Sequence, residues 1–226
     1  MKLIMNALLV CASLGMAGKS NAQTTVGVDP TQSWIGYMNV FELPANGGAY
    51  DFGSAWGTAD LNASYTGPVL TLTPNTSIDR DVPNDSYWWV GGAGGAPNKT
   101  MDASMYVQND SLAGQTVVFV GDTLSDTLIS PYTSMAFIKD FAPDYSSYTE
   151  DSISLVGGNA FSLSLATTAG SHVQYGFETI GPDARLATVG ALGNVSITAA
   201  PVPEPSTLAL AGLCSAAAMG FIRRRK

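Results

Sequence analysis

Met101-Asp102-Ala103-Ser104-Met105-Tyr106-Val107-Gln108 alternates apolar and polar side chains without a break. Successive side chains of an extended strand point to opposite faces. Met101, Ala103, Met105 and Val107 should therefore line one face, and Asp102, Ser104, Tyr106 and Gln108 the other. One buried face and one wet face are what an antiparallel sheet on a core presents. The same period recurs at Phe161-Leu163-Leu165, at Val173-Tyr175-Phe177 and at Val195-Ile197, each interleaved with polar residues. More continuous apolar runs at Trp34–Phe41, Tyr87–Val90, Thr116–Val120 and Met135–Ile138 read as central strands. No apolar stripe of helical period is sustained. Gly- and Asn-rich breaks at 46–48, 91–95, 121–122, 157–159 and 181–183 supply turn chemistry between the strands. Eight to ten short strands so spaced predict an all-β fold, an antiparallel sandwich of jelly-roll type, formed by one domain over residues 23–200.

The two ends have a different composition. Lys2 precedes a mostly apolar stretch from Leu3 to Met16, and Ser20-Asn21-Ala22 supplies the small residues a signal peptidase requires. Residues 1–22 therefore read as a secretory signal helix cleaved after Ala22. At the other end Val202-Pro203-Glu204-Pro205-Ser206 is followed by an uncharged run from Leu208 to Ile222 and then by Arg223-Arg224-Arg225-Lys226. The prolines hold the chain extended and accessible. As a helix the run would span roughly 22 Å against a hydrocarbon core of about 30 Å, and the terminal basic cluster marks the cytoplasmic end.

Charge is as unevenly spread. The chain has 10 Lys and Arg against 18 Asp and Glu. Between residues 23 and 200 the basic residues are Arg80, Lys99, Lys139 and Arg185, which face seventeen acids and leave an excess of thirteen negative charges. Such a body repels phosphate backbones, which argues against nucleic acid as a partner. Both cysteines, Cys11 and Cys214, lie in the terminal segments, so the body has no disulfide framework and no thiolate metal site.

The residues of the C-terminus, a Pro-Glu-Pro, an apolar run and an arginine cluster, resemble the PEP-CTERM sorting signal of exported bacterial proteins. That resemblance covers residues 201–226. It implies recognition of Pro203, Glu204 and Pro205 by an exosortase-type processing enzyme, transient anchoring in the inner membrane, and delivery to the cell surface or extracellular space. It also carries an association with exopolysaccharide. More diffusely, Ala103–Gln108, Ser111–Phe119 and Phe137–Phe141 are similar to carbohydrate-binding-module-like jelly rolls. That likeness implies a sandwich that binds polysaccharide on a sheet face or loop tip, sometimes with a structural calcium. An Asp-rich final strand would accompany the calcium, and Gly193-Asn194-Val195-Ser196 stands there instead.

Catalytic candidates are few. His172 is the single histidine, and alternation puts it on the wet face with Gln174 and Glu178. Neither a Gly-x-Ser-x-Gly turn nor a body cysteine is present to act as nucleophile. The acids at Asp79, Asp81, Asp85 and Asp183 sit in turn contexts. Asp79 to Asp85 spaces its acids as oxygen ligands could be, yet without the twelve-residue calcium-loop pattern. Gly91–Gly95 lacks the Lys-Ser/Thr of a phosphate loop. No cofactor is expected, and no enzymatic activity.

Aromatic residues offer the other chemistry, because a sugar ring lays its apolar face on Trp or Tyr. Trp88 and Trp89, adjacent on an expected strand, should point to opposite faces. Trp88, Trp89, Tyr106 and Gln108 are the candidate glycan-binding residues, and Trp34 and Trp56 are expected in the core. Two functions follow: a structural or adhesive protein of an extracellular polysaccharide layer, or a glycan-binding protein or secreted glycosidase. A binding site needs exposed aromatics on a sheet face, and a glycosidase needs in addition a pair of acids in a cleft.

Overall fold

The computed structural model describes residues 22–200. The signal and C-terminal helices expected at the two ends, with Pro203, Glu204, Pro205 and Arg223–Lys226, lie outside the described residues.

Twelve strands form two six-stranded sheets packed as a sandwich. They are β1 (Gln23–Gly27), β2 (Ile35–Glu42), β3 (Tyr50–Trp56), β4 (Ala63–Thr66), β5 (Val69–Leu72), β6 (Lys99–Gln108), β7 (Thr116–Asp126), β8 (Thr133–Phe141), β9 (Tyr148–Ser154), β10 (Asn159–Ala166), β11 (His172–Pro182) and β12 (Val195–Thr198). One sheet runs β4-β5-β12-β7, with β10 on the far edge of β7. The other runs β3-β2-β6-β11-β8-β9. The last eight strands, ordered β5-β12-β7-β10 and β6-β11-β8-β9, are the paired Greek keys of a jelly roll. One pair departs from the expected antiparallel pattern: β1 lies parallel to β7, from Gln23 beside Thr116 to Gly27 beside Val120. It enters from the chain start, so no hairpin dictates its direction.

The alternation at Met101–Gln108 is realised in β6. Met101, Ala103, Met105 and Val107 are buried between the sheets with Val173, Tyr175 and Phe177 of β11. Val117 and Phe119 of β7, Phe161 and Leu163 of β10, and Val195 and Ile197 of β12 meet them from the other side. Phe119 is the hub, its ring centroid 5.3 Å from those of Phe161 and Phe177 and 5.2 Å from that of Tyr175. Trp34 packs against this cluster, 6.1 Å from Phe177, and Trp56 lies partly buried at its edge, as expected.

The segment Tyr87–Val90 is not a strand. It belongs to the long connection between β5 and β6, which holds a short helix α1 (Ser77–Asp81) and tight turns with Gly91, Gly92 and Gly94 at positive φ. Trp88 and Trp89 donate their backbone N–H groups to the same carbonyl, that of Asp85, at 3.2 and 3.0 Å. Their side chains are therefore free of strand alternation. Both turn inward, and Trp89 is wholly inaccessible. The Arg185 guanidinium lies 3.4 Å from the centroid of the Trp89 ring. It also donates to Asp79 at 2.6 Å and to the carbonyls of Pro83 and Gly95 at 2.9 and 3.0 Å, stapling the connection to the chain beyond β11.

Truncating Phe119 to Ala should cost about 3–5 kcal/mol, because the aromatic cluster cannot collapse into the space. Thermal unfolding should show a Tm lower by about 10 °C, and an unchanged Tm would remove Phe119 from its central role. A second prediction concerns Asp183. It is buried, neither carboxyl oxygen has a hydrogen-bond partner, and burial pushes its pKa from 3.8 up to about 8. Between those values the folded protein holds a proton that the unfolded chain has released. Asp183 therefore lowers stability progressively as pH rises from about 4 to 8. Asp183→Asn should stabilise the protein at pH 8.5, with the gain shrinking toward pH 4. Denaturant unfolding at both pH values measures this, and a gain equal at the two would contradict it.

Candidate functional site

The polar face of β6 does not simply meet solvent. Asp102, Ser104, Tyr106 and Gln108 lie along the floor of a concave groove of about 980 Å³ across the outer face of the six-stranded β3–β9 sheet. Pairing register builds the floor in rows. Tyr106 lies beside Gly176, which lies beside Phe137. Gln108 lies beside Gln174, beside Lys139. Tyr37 lies beside Ser104, beside Glu178. Aromatic side chains close the ends. Phe41 and Tyr50 pair edge to face at 5.5 Å on one side, and Phe141 sits 5.6 and 5.0 Å from Tyr145 and Tyr148 on the other. Tyr50, Tyr145 and Tyr148 are exposed at 58, 48 and 53%, so each offers a ring to solvent at the rim.

Gly176, in register between Tyr106 and Phe137, is the tightest place in the floor. A side chain there would place its first carbon 2.1 Å from the Met105 carbonyl oxygen and 2.6 Å from the Tyr106 Cα. Glycine alone fits, because the backbone of β6 already occupies the place a side chain would take. The Lys139 ammonium lies 4.4 Å from the centroid of the Phe137 ring and reaches Glu178, with which it forms a buried ion pair. Ser104 donates to the same Glu178 oxygen at 3.2 Å. Burial alone would lower the Lys139 pKa. The charges of Glu178, Glu150 and Asp102 outweigh it and hold the ammonium above its ordinary value. Beside the pair, Asp102 accepts from Asn39 at 3.4 Å, while its other oxygen is buried and unpartnered. Burial first, and the Glu178 charge second, push the Asp102 pKa up to about 7.

The end of the groove near β9 carries hydrogen bonding as well as rings. Tyr145, at positive φ, stacks parallel to His172 at 4.4 Å and accepts from the Gln108 amide at 2.9 Å. The His172 Nδ1 faces Asp110 at 2.8 Å. His172 thus shares the outer face of β11 with Gln174 and Glu178, as alternation requires, but packs at the rim rather than standing free.

Of the expected glycan-binding residues, the groove brings Tyr106 and Gln108 together. Trp88 and Trp89 are instead packed in the interior, because the segment that carries them is a turn. The reading from sequence missed Tyr37, Phe41, Phe137, Lys139, Phe141 and Gln174. A usable signal was present in the aromatic-polar-aromatic triplets Tyr37-Met38-Asn39-Val40-Phe41 and Phe137-Ile138-Lys139-Asp140-Phe141, whose odd positions share one face. The acidic run at Asp79–Asp85 is engaged otherwise: Asp79 receives Arg185, and Asp81 receives Arg80 at 2.6 Å. Among the described residues no group of three or more His, Cys, Asp or Glu is placed to hold a metal. Ala22, the expected cleavage position, directly precedes β1, and its carbonyl accepts from the Thr116 N–H at 2.9 Å.

The comparison with known families bears on the other end of the chain. Residues 201–226 match the PEP-CTERM protein-sorting motif. The chain is therefore an exported, cell-surface-sorted substrate of exosortase processing. The chain matches no curated protein sequence. A loose structural likeness extends to the CBM22-1–GH10 modules of the Clostridium thermocellum endo-1,4-β-D-xylanase 10B, solved with xylohexaose, at 8% identity and a TM-score of 0.25. It covers 47% of this chain and 22% of the xylanase chain, and at that score it carries no argument about ligand or activity.

Replacing Pro203, Glu204 and Pro205 together by alanine should leave the chain in the membrane fraction of its native host with the tail attached, whereas the wild type loses it. Immunoblotting and intact mass of the surface and membrane fractions decide this. Identical processing of the two forms would show that these residues are not what the enzyme recognises.

Proposed function

We propose that this surface-sorted protein is a non-enzymatic, adhesive component of an extracellular polysaccharide layer, and that it holds a glycan chain in the groove on the β3–β9 sheet. The observation that carries the reading is the combination of exposed Tyr50, Tyr145 and Tyr148 at the rim with a floor of amide, hydroxyl and phenol groups from Asn39, Ser104, Tyr106, Gln108 and Gln174. Sugar rings need both: an apolar face to stack on and directional partners for their hydroxyls. A volume of about 980 Å³ is at the upper end of ligand-binding clefts and suits a chain of several rings rather than one.

The acid arrangement supports binding without hydrolysis. Asp102 is the single carboxylic acid among the groove-lining residues. One of its oxygens is sealed from solvent, and the nearby Glu178 carboxylate is occupied by Lys139. Glycoside hydrolysis uses two carboxyl groups that both reach the scissile bond.

The full chain, in mild detergent, should bind immobilised oligosaccharides on a glycan array. Tyr106→Ala and Tyr148→Ala should each weaken binding about tenfold, the usual effect of removing an aromatic anchor. Trp88→Phe, which alters the interior, should change stability but leave affinity unchanged. Absence of binding to any glycan, or affinities untouched by the tyrosine changes, would refute the groove as a glycan site.

A further inference from the structure

Each of the four basic side chains of the body is committed to carboxylates. Arg80 bonds Asp60 at 2.8 Å and Asp81 at 2.6 Å. Lys99 reaches Glu42, and Asp51 at 3.3 Å. Arg185 bonds Asp79 at 2.6 Å. In the groove itself Lys139 is neutralised by Glu178 and overlooked by Asp102 and Glu150. Recognition of a uronate or sulfate requires a cation free to form a charge-assisted bond, most often a forked guanidinium. Among residues 22–200 no such group faces the groove, and the body around it carries thirteen more acids than bases.

We propose that the groove selects glycan chains without acidic groups and rejects uronate-bearing and sulfated ones. This inference rests on the reading of the groove as a glycan site. Its physical content is exclusion. Bringing a carboxylate over the Lys139–Glu178 pair places like charges together without a counter-ion, and that is how an interface discriminates against a partner of similar shape. Lys139 stays unavailable because its ammonium is already held by Glu178, in a setting where releasing it would leave a buried carboxylate alone. The surplus negative field around the groove adds a longer-ranged repulsion that salt should screen.

The test is titration of the full chain with neutral xylohexaose and cellohexaose against hexagalacturonate, at 0.05 and 1 M NaCl. The uronate oligomer should bind at least tenfold more weakly than the better neutral one at low salt, and the difference should narrow at high salt. Glu178→Gln releases the Lys139 cation and should shift the ratio toward the uronate about tenfold. Should that variant fail to fold, Glu150→Gln on the exposed edge strand β9 removes one negative charge near Lys139 and should move the ratio the same way. Equal or tighter binding of the uronate by the wild type, or a ratio that neither variant moves, overturns the inference while leaving the glycan site standing. Failure of all three oligomers to bind, together with a blank array, removes the site and the inference with it.

Discussion

The Lys139–Glu178 ion pair governs how the outer face of the β3–β9 sheet is built. A cation and a carboxylate on the solvent side of a sheet would ordinarily extend into water and contribute little. Here both are largely covered, with side-chain exposures of 13 and 6%. Desolvation of that kind is costly unless geometry and additional hydrogen bonds offset it. Ser104 supplies one such bond, and the Phe137 ring supplies the apolar bed on which the ammonium rests. Gly176 lies between Phe137 and Tyr106 in the same patch of floor. Placement of the pair and the close approach of β6 to β11 at Gly176 are thus parts of one local arrangement rather than separate features.

That arrangement explains why Asp102 is perturbed. Its neighbours on the face are Asn39 and the already paired Glu178, so its charge finds no cation of its own. Neutralisation near pH 7 is the cheapest response to burial beside another carboxylate. A raised carboxyl in a cleft is often a mark of catalysis. In this groove the same value follows from burial and crowding around a structural ion pair, and the oxygen that lacks a partner is sealed from solvent. Perturbation alone therefore does not separate a reactive acid from one that the fold has stranded.

Much of the fold was legible because alternation is a direct imprint of the pleat. Seven of the eight segments read as strands are strands, and the faces assigned in β6 and β11 are the faces observed. What failed did so for identifiable reasons. Tyr87–Val90 is apolar enough for a central strand, yet the Gly-rich residues that follow let the chain turn, and Arg185, distant in sequence, supplies the contact that draws Trp89 inward. The edge strands β3 and β9 were not read, since their exposed positions dilute the pattern that buried strands show, and β4 and β5 are only four residues each, too short to establish a period. The shared outward placement of Tyr106 and Gln108 was legible because they lie on the polar face of the clearest strand. That of Phe137 and Lys139 was not, because the near-continuous apolar run Met135–Ile138 masks the aromatic-polar-aromatic alternation that continues through Lys139 to Phe141. Pairing across six strands, which joins residues far apart in the chain, is what assembles the site.

The two ends of the functional argument act on different parts of the chain and do not depend on one another. Sorting is encoded in a short linear signal, and such signals can be appended to any folded body without disturbing it. The described body ends just after β12, a strand lying between β5 and β7 in the sheet that does not carry the groove. Extension of the chain from that sheet leaves the opposite face of the sandwich uncovered by the strand that leads into the tail. A surface-sorted protein that bound a ligand in this groove, as proposed, would gain from this division. The groove face is formed by β2, β3, β6, β8, β9 and β11, while the segment handled by the processing enzyme follows a strand on the other layer. Core packing around Phe119, against Phe161 of its own sheet and Tyr175 and Phe177 of the other, joins that layer to the sheet that carries the groove.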